Sequence, residues 1–238
     1  AEHWSFIGQI FILLAIQVGG LGILTVATML TMTVSKHLGV KQKLVAQEGM
    51  STGLLGEVGS LIRVVFMTTF IIEAIIMVVL TPRFIFLEKD VLLGLWHGLF
   101  YSISAFNNAG FITHVNGFSD FGNDPFIATV IAIAVFVGGI GFPVIMVLLR
   151  HRWHLRRWNL HTRLTVEVTL AIFLLGAIAY ALLEWNNPAT MGERSPIERI
   201  GLSLFASVSS RSGGFNLVDV NQQLPETLFL TDALMFIG

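Results

Sequence analysis

The chain has no cysteine, so neither a disulfide framework nor a thiolate metal site can be built from it. Charge is also scarce: Asp, Glu, Lys and Arg make up 12% of the 238 residues, about half the share of a soluble domain. The net charge of −1 leaves no basic surplus for nucleic acid. No charged amino-terminal region with a short apolar core and a cleavage site is present, which argues against a secretory leader. His-Glu-x-x-His does not occur, so the clustered signature of a zinc peptidase is missing. What remains is apolar. At 54% hydrophobic residues and a mean hydropathy of +0.78, the composition is that of a chain whose solvent is lipid. It opens on Ala1 and stops at Gly238 within an apolar run, and so reads as an internal piece of a longer membrane protein.

Four apolar runs, residues 4–34, 54–80, 125–149 and 164–183, are long enough to cross the hydrocarbon core of about 30 Å. Two others are too short. Residues 91–105 start after Asp90, a good helix cap, and residues 197–210 start at Ser195-Pro196-Ile197-Glu198, a capping box with proline at the first helical position. Each short run leads into a glycine turn. The first is Ala105-Phe106-Asn107-Asn108-Ala109-Gly110-Phe111, and the second is Arg211-Ser212-Gly213-Gly214-Phe215. A helix that stops halfway and turns on glycine predicts a re-entrant loop, which membrane depth tolerates only where protein or a water-filled cavity covers it. Residues 81–90, with Arg83, Glu88, Lys89 and Asp90, read as a loop. Pro125 after Asp124 and Pro225 each open a new helix.

Loop charges test this layout. Lys36, Lys41 and Lys43 lie in one loop, and Arg150, Arg152, Arg156, Arg157 and Arg163 in another. Two crossings and one dip separate them, which puts both on one side, and the positive-inside rule makes that side cytoplasmic (residues 35–53 and 150–163). Full crossing by residues 91–105 would place the second basic loop outside.

The layout repeats. Gly110-Phe111 matches Gly214-Phe215, and Val18-Gly19-Gly20-Leu21-Gly22 matches Val137-Gly138-Gly139-Ile140-Gly141. The expected organisation is the inner helix of a first unit in residues 1–34 and a complete second unit in residues 35–149. A third unit, incomplete in its inner helix, occupies residues 150–238. The fold class is all-α membrane protein, with repeated outer helix, re-entrant pore loop and inner helix, like a potassium channel.

At these turns a resemblance becomes specific. Residues 105–111 are similar to the second filter segment of the Trk/Ktr/HKT superfamily of potassium transporters. Asp124-Pro125-Phe126 and Asn159-Leu160-His161-Thr162-Arg163 resemble neighbouring landmarks, nearest to the Ktr-type membrane subunit. Arg211-Ser212-Gly213-Gly214-Phe215-Asn216 resembles the third filter segment, with Ser212 and Gly213 as small variants of the usual Thr-Ala.

The resemblance implies potassium translocation in the plasma membrane, potassium being the transported substrate, with no cofactor and no enzymatic reaction. It also implies a homodimer resting on a cytoplasmic nucleotide-binding regulatory ring, with membrane lipid around it. The expected ion ligands are the backbone carbonyls of Asn107, Asn108, Ala109 and Gly110, and of Arg211, Ser212, Gly213 and Gly214, which would replace the ion's hydration shell. Gly110 and Gly214 are expected at positive φ, so that a ladder of carbonyls can face one way. The same two glycines favour potassium over sodium.

Other residues carry two readings each. Glu73 lies inside a span, where an ionisable group is a functional candidate; a hydrogen-bonded packing group is an equal reading. Arg211 is expected to turn its guanidinium away from the ion into surrounding protein, and Arg63 to snorkel. The glycine clusters fit close helix packing better than hinges, and Pro143 should kink its helix. His151 and His154 lie among arginines and, with Trp153 and Trp158, suit a membrane surface rather than a metal. The rivals are a sodium-selective member of the same superfamily and a polytopic membrane enzyme using Glu73, His97 or His114.

Overall fold

The structure, a computed structural model, describes residues 4–36, 58–114, 117–121, 123–151 and 158–237. Among them the regular elements are helices. Helices α1 (Phe6–Lys36) and α2 (Val58–Glu88) are long, and α3 (Val91–Phe106) is short. Helices α4 (Pro125–Ile140) and α5 (Phe142–His151) are two parts of one broken run. Then come α6 (Leu160–Glu184), the short α7 (Pro196–Val208) and α8 (Pro225–Ile237). Arg63–Glu88 and Leu160–Glu184 are long and apolar enough to cross a membrane, and α4 with α5 qualify as a third crossing bent by 102°. At 16 residues, α3 rises only about 24 Å, short of a crossing, as expected.

Side chains fix the helix starts. The Asp90 carboxylate accepts from the N–H groups of Leu92 and Leu93 at 2.8 and 3.1 Å, opening α3. Asp124 does the same for α4 through Phe126 and Ile127 at 3.1 and 3.2 Å, and its second oxygen takes the Arg83 Nε–H at 2.7 Å. Ser195 and Glu198 form the reciprocal capping box at the head of α7.

Two expectations need correction. Residues 81–88 are not a loop: α2 continues through Pro82 as far as Glu88. Proline removes one backbone hydrogen bond and crowds the preceding turn, yet the fully buried Leu80 and Phe84 on either side hold this stretch in the main core. Gly94 brings α3 flush against it, since a Cβ there would sit 2.6 Å from Ile85 N. The kink assigned to Pro143 falls instead at Gly141, with φ +90° and ψ 146°. Pro143 is the second residue of α5, where its missing N–H costs nothing.

One aromatic core joins the segments around the two glycine turns. Phe84 stacks on Tyr101 at 5.3 Å, and Phe118 stacks on Phe205 at 5.7 Å. Phe215, which follows the second glycine turn, meets Phe118 at 5.0 Å. The second turn is therefore anchored against Phe118, on the stretch that follows the first turn. Most of both basic loops, including Lys41, Lys43, Arg152, Trp153, His154, Arg156 and Arg157, lies outside the described residues.

Candidate filter site

The first turn grows out of the end of α3. The N–H groups of Asn107, Asn108 and Ala109 bond back to the carbonyls of Ile103, Ala105 and Ser104 at 3.0, 3.1 and 2.8 Å. Asn108 and Gly110 then adopt φ of +52° and +67°. The second turn grows out of α7, which widens into a π turn over Ser209–Gly213. Gly214 follows at φ +70°, its N–H on Ser209 O at 3.1 Å. A serine staples each turn: Ser104 Oγ donates to Phe111 O at 2.8 Å, and Ser209 Oγ donates to Phe215 O while accepting from Phe215 N at 2.8 Å. The first turn spends one more residue between serine and phenylalanine, and Asn108 takes up the extra length in the left-handed region.

The two turns meet glycine to glycine. A Cβ on Gly110 would stand 2.8 Å from Gly213 O and 3.0 Å from Gly214 Cα; a Cβ on Gly214 would stand 3.2 Å from Gly110 Cα. Glycine is thus required at both positions by the sign of φ and by the approach of the other backbone. Across a sequence separation of 104 residues, the chain has brought the two sequence-predicted segments into contact at their glycine ends.

Polar side chains behind the first turn tie it to its neighbours. Asn107 Nδ2 donates to Glu73 Oε1 at 2.8 Å and to Ile103 O at 2.9 Å. Gln17 of α1 donates to both Glu73 oxygens at 3.2 and 3.0 Å. Glu73, only 4% exposed, is therefore a strut holding Asn107, which favours the packing reading. The Asn108 amide, oriented so that both its ends are satisfied, donates to Val135 O and accepts from Gly139 N, each at 3.0 Å. Those two backbone groups are one helical turn apart in α4, close to the break at Gly141.

The glycine clusters serve this packing. A Cβ on Gly20 would lie 2.9 Å from Asn107 Cγ, and one on Gly138 would lie 3.0 Å from the Phe106 carbonyl carbon. The Arg211 guanidinium donates to Thr169 O on α6 at 3.4 Å. Ser212 and Gly213 lie in the π turn.

A second polar cluster was not legible in the sequence. Glu88 ends α2, and its Oε1 lies 3.1 Å from His97 Nδ1 and 2.9 Å from His114 Nε2. Tyr101 Oη is 2.7 Å from His114 Nδ1. The sequence offers His97 and His114 only as separate candidates, since spacings of nine and 26 residues from Glu88 make no motif. Glu184 plays a parallel part at the end of α6. It takes Asn187 Nδ2 at 2.7 Å and Leu224 N at 2.8 Å, and so ties the end of α6 to the residue before α8.

Comparison with known proteins agrees with this architecture. Ktr system potassium uptake protein B of Bacillus subtilis is 33% identical over 236 residues, covering 99% of this chain and 53% of the relative. Ktr system potassium uptake protein B of Vibrio alginolyticus is 32% identical over 238 residues, covering 100% of this chain and 52% of that protein. Potassium/sodium uptake protein NtpJ of Enterococcus hirae is 28% identical over 238 residues, again covering 100% of this chain and 52% of the relative. The chain spans about half the length of these curated relatives. The family described as TrkH, cation transport protein, matches residues 2–238. With a match from end to end and paired glycine turns at the core of the fold, the chain belongs to the TrkH family of cation transport proteins.

Proposed function

We propose that this chain forms part of the pore subunit of a potassium uptake system in the plasma membrane. Backbone carbonyls of Asn107, Asn108, Ala109 and Gly110, and of Arg211, Ser212, Gly213 and Gly214, take the place of water around the passing ion. Peptide oxygens suit this task because they replace hydration without the tight hold of a carboxylate. The carboxyl-terminal ends of α3 and α7 add partial negative charge directed at the same place.

The observation that carries the reading is the contact between two glycine turns, both at positive φ, at the ends of two short helices. In this reading residues 1–34 supply an inner helix, residues 35–149 a complete unit, and residues 150–238 a further outer helix, pore loop and inner-helix segment. The basic loops face the cytoplasm. The whole subunit pairs as a homodimer on a cytoplasmic nucleotide-binding ring, as the family resemblance implies.

The test is rubidium uptake by potassium-starved cells expressing the full-length gene. Gly110→Ser and Gly214→Ser should each abolish saturable uptake while the protein still reaches the membrane. Unchanged uptake in either variant would remove the filter assignment.

A further inference from the structure

We propose that Glu88, His97 and His114 form a binding site for a divalent transition-metal ion such as zinc or cobalt. The three ligands come from three elements: the last residue of α2, the second turn of α3, and the segment that leaves the first glycine turn. One ligand atom from each lies within 4.8 Å of the other two.

The geometry is close to what a metal needs. Nitrogen and oxygen ligands at about 2.0–2.2 Å around a tetrahedral ion stand about 3.3–3.6 Å from one another. The Glu88 Oε1 to His97 Nδ1 and Glu88 Oε1 to His114 Nε2 distances are 3.1 and 2.9 Å. These two pairs need open by about 0.2–0.7 Å to admit such an ion. The two imidazole rings already lie side by side, with centroids 4.4 Å apart.

The surroundings resemble those of metal-binding histidines. His114 is oriented through its other nitrogen, Nδ1, by Tyr101 Oη at 2.7 Å, and Thr113 N donates to that same oxygen at 3.3 Å. A partner on the far nitrogen is what fixes the ring and tautomer of a ligating histidine. Phe84 meets His97 edge-on at 5.9 Å, and Phe121 meets His114 edge-on at 4.6 Å, so the rings are walled by apolar surface. The site is still reachable: the side chains of Glu88 and His114 are 21% and 15% exposed.

Two imidazoles and one carboxylate select a borderline ion over magnesium or calcium, and leave a fourth position for water. Potassium has no preference for imidazole, so this donor set is not one built for the transported ion. It stands whether or not the two turns conduct. An ion here would clamp the segment leaving the filter to α2 and α3.

The test uses the full-length protein, purified in detergent without a polyhistidine tag and titrated with cobalt(II). One equivalent per chain should give the visible absorption of a four- or five-coordinate ion, and zinc should displace it and raise the thermal unfolding midpoint. His97→Gln and His114→Gln should lose both signals. Glu88→Gln, which keeps a carbonyl oxygen for the two histidine N–H groups and so preserves the fold, should weaken cobalt at least about tenfold. Tyr101→Phe should weaken it by about 10–100-fold, as loss of an outer partner does. A spectrum that remains that of aqueous cobalt, or His97→Gln, His114→Gln and Glu88→Gln variants that bind as well as the parent, would overturn the site.

Discussion

Glu73 offers the sharpest test of how the first turn is held. Its carboxylate accepts from Asn107 Nδ2 at 2.8 Å and from Gln17 Nε2 at 3.2 and 3.0 Å. Glu73→Ala removes the acceptor from two donors. Gln17 Nε2 loses both its recorded bonds, while Asn107 Nδ2 keeps Ile103 O. A buried donor left without a partner costs about 1–3 kcal/mol, so the variant should lose about 2–4 kcal/mol of stability. Asn107, no longer braced, should let the turn relax, and saturable rubidium uptake per inserted protein should fall at least about tenfold, the equivalent of about 1.4 kcal/mol at the barrier.

Glu73→Gln separates a hydrogen-bond role from a charge role. The new amide oxygen can serve Asn107, and the new amide N–H₂ can face Gln17 Oε1, a buried atom with no partner among the described residues. A turn of the Gln17 amide would then make a paired amide contact. The expected change is under about 1 kcal/mol, with uptake near the parent level. If Glu73→Gln is as damaging as Glu73→Ala, the negative charge itself is needed and the strut reasoning fails. If Glu73→Ala is indistinguishable from the parent, the strut has no function.

Other expectations follow from single contacts. Gly141→Ala places a side chain at φ +90° and ψ 146°, which should cost about 1–3 kcal/mol and lower the thermal midpoint in detergent. An unchanged midpoint would mean that the α4–α5 break moves freely. Arg199 donates to the carbonyls of Arg194, Trp185 and Gly192 at 2.8, 2.9 and 2.6 Å. Arg199→Ala should therefore expose the 185–195 loop to limited proteolysis, at a cost of about 1 kcal/mol per lost bond; an unchanged digestion pattern would contradict this. The Glu198 carboxyl is held below its ordinary value, first by the Ser195 backbone N–H and then by the Ser195 side chain. A depressed value means that the stabilisation is complete above the ordinary glutamate range and is lost as pH falls through the lower folded value. The stability gap between the parent and Glu198→Gln should accordingly be present at neutral pH and close in acid, and a gap that widened in acid would refute the assignment.

Local signals in the sequence carried most of the fold. Asp90, Asp124 and the Ser195–Glu198 box mark helix starts because each satisfies backbone N–H groups within three residues, and such short-range chemistry is written contiguously. Gly110 and Gly214 were legible for the same reason, since a left-handed turn after a short apolar run has few other solutions. The misreadings came from tertiary effects. Pro82 and its charged neighbours predicted a loop, but the burial of Leu80 and Phe84 outweighed proline's cost to the helix. The partners of Glu73 lie 34 and 56 residues away in sequence, and those of Glu88 nine and 26. No spacing rule finds such pairs, because the helix packing that joins them is not periodic in the chain.

The two asparagines of the first turn show how the site depends on its neighbours. Asn107 is held from one side by Glu73 of α2 and faces Gly20 of α1, while Asn108 is held from the other side by Val135 and Gly139 of α4. Ser104 closes the turn from within. Three helices outside the turn thus fix its geometry, and the glycines at positions 20 and 138 mark where those helices come close enough to do so. A substitution in any of the three can therefore disturb the turn without touching an ion. The bond from Asn108 to Gly139 also couples the turn to the helix that breaks at Gly141. Both partners lie in α4 before the break, so these bonds hold the first turn to that half of the broken run. In the proposed reading the filter turn is held against the inner helix both by the Asn108 amide and by the close approach of Gly138 to Phe106.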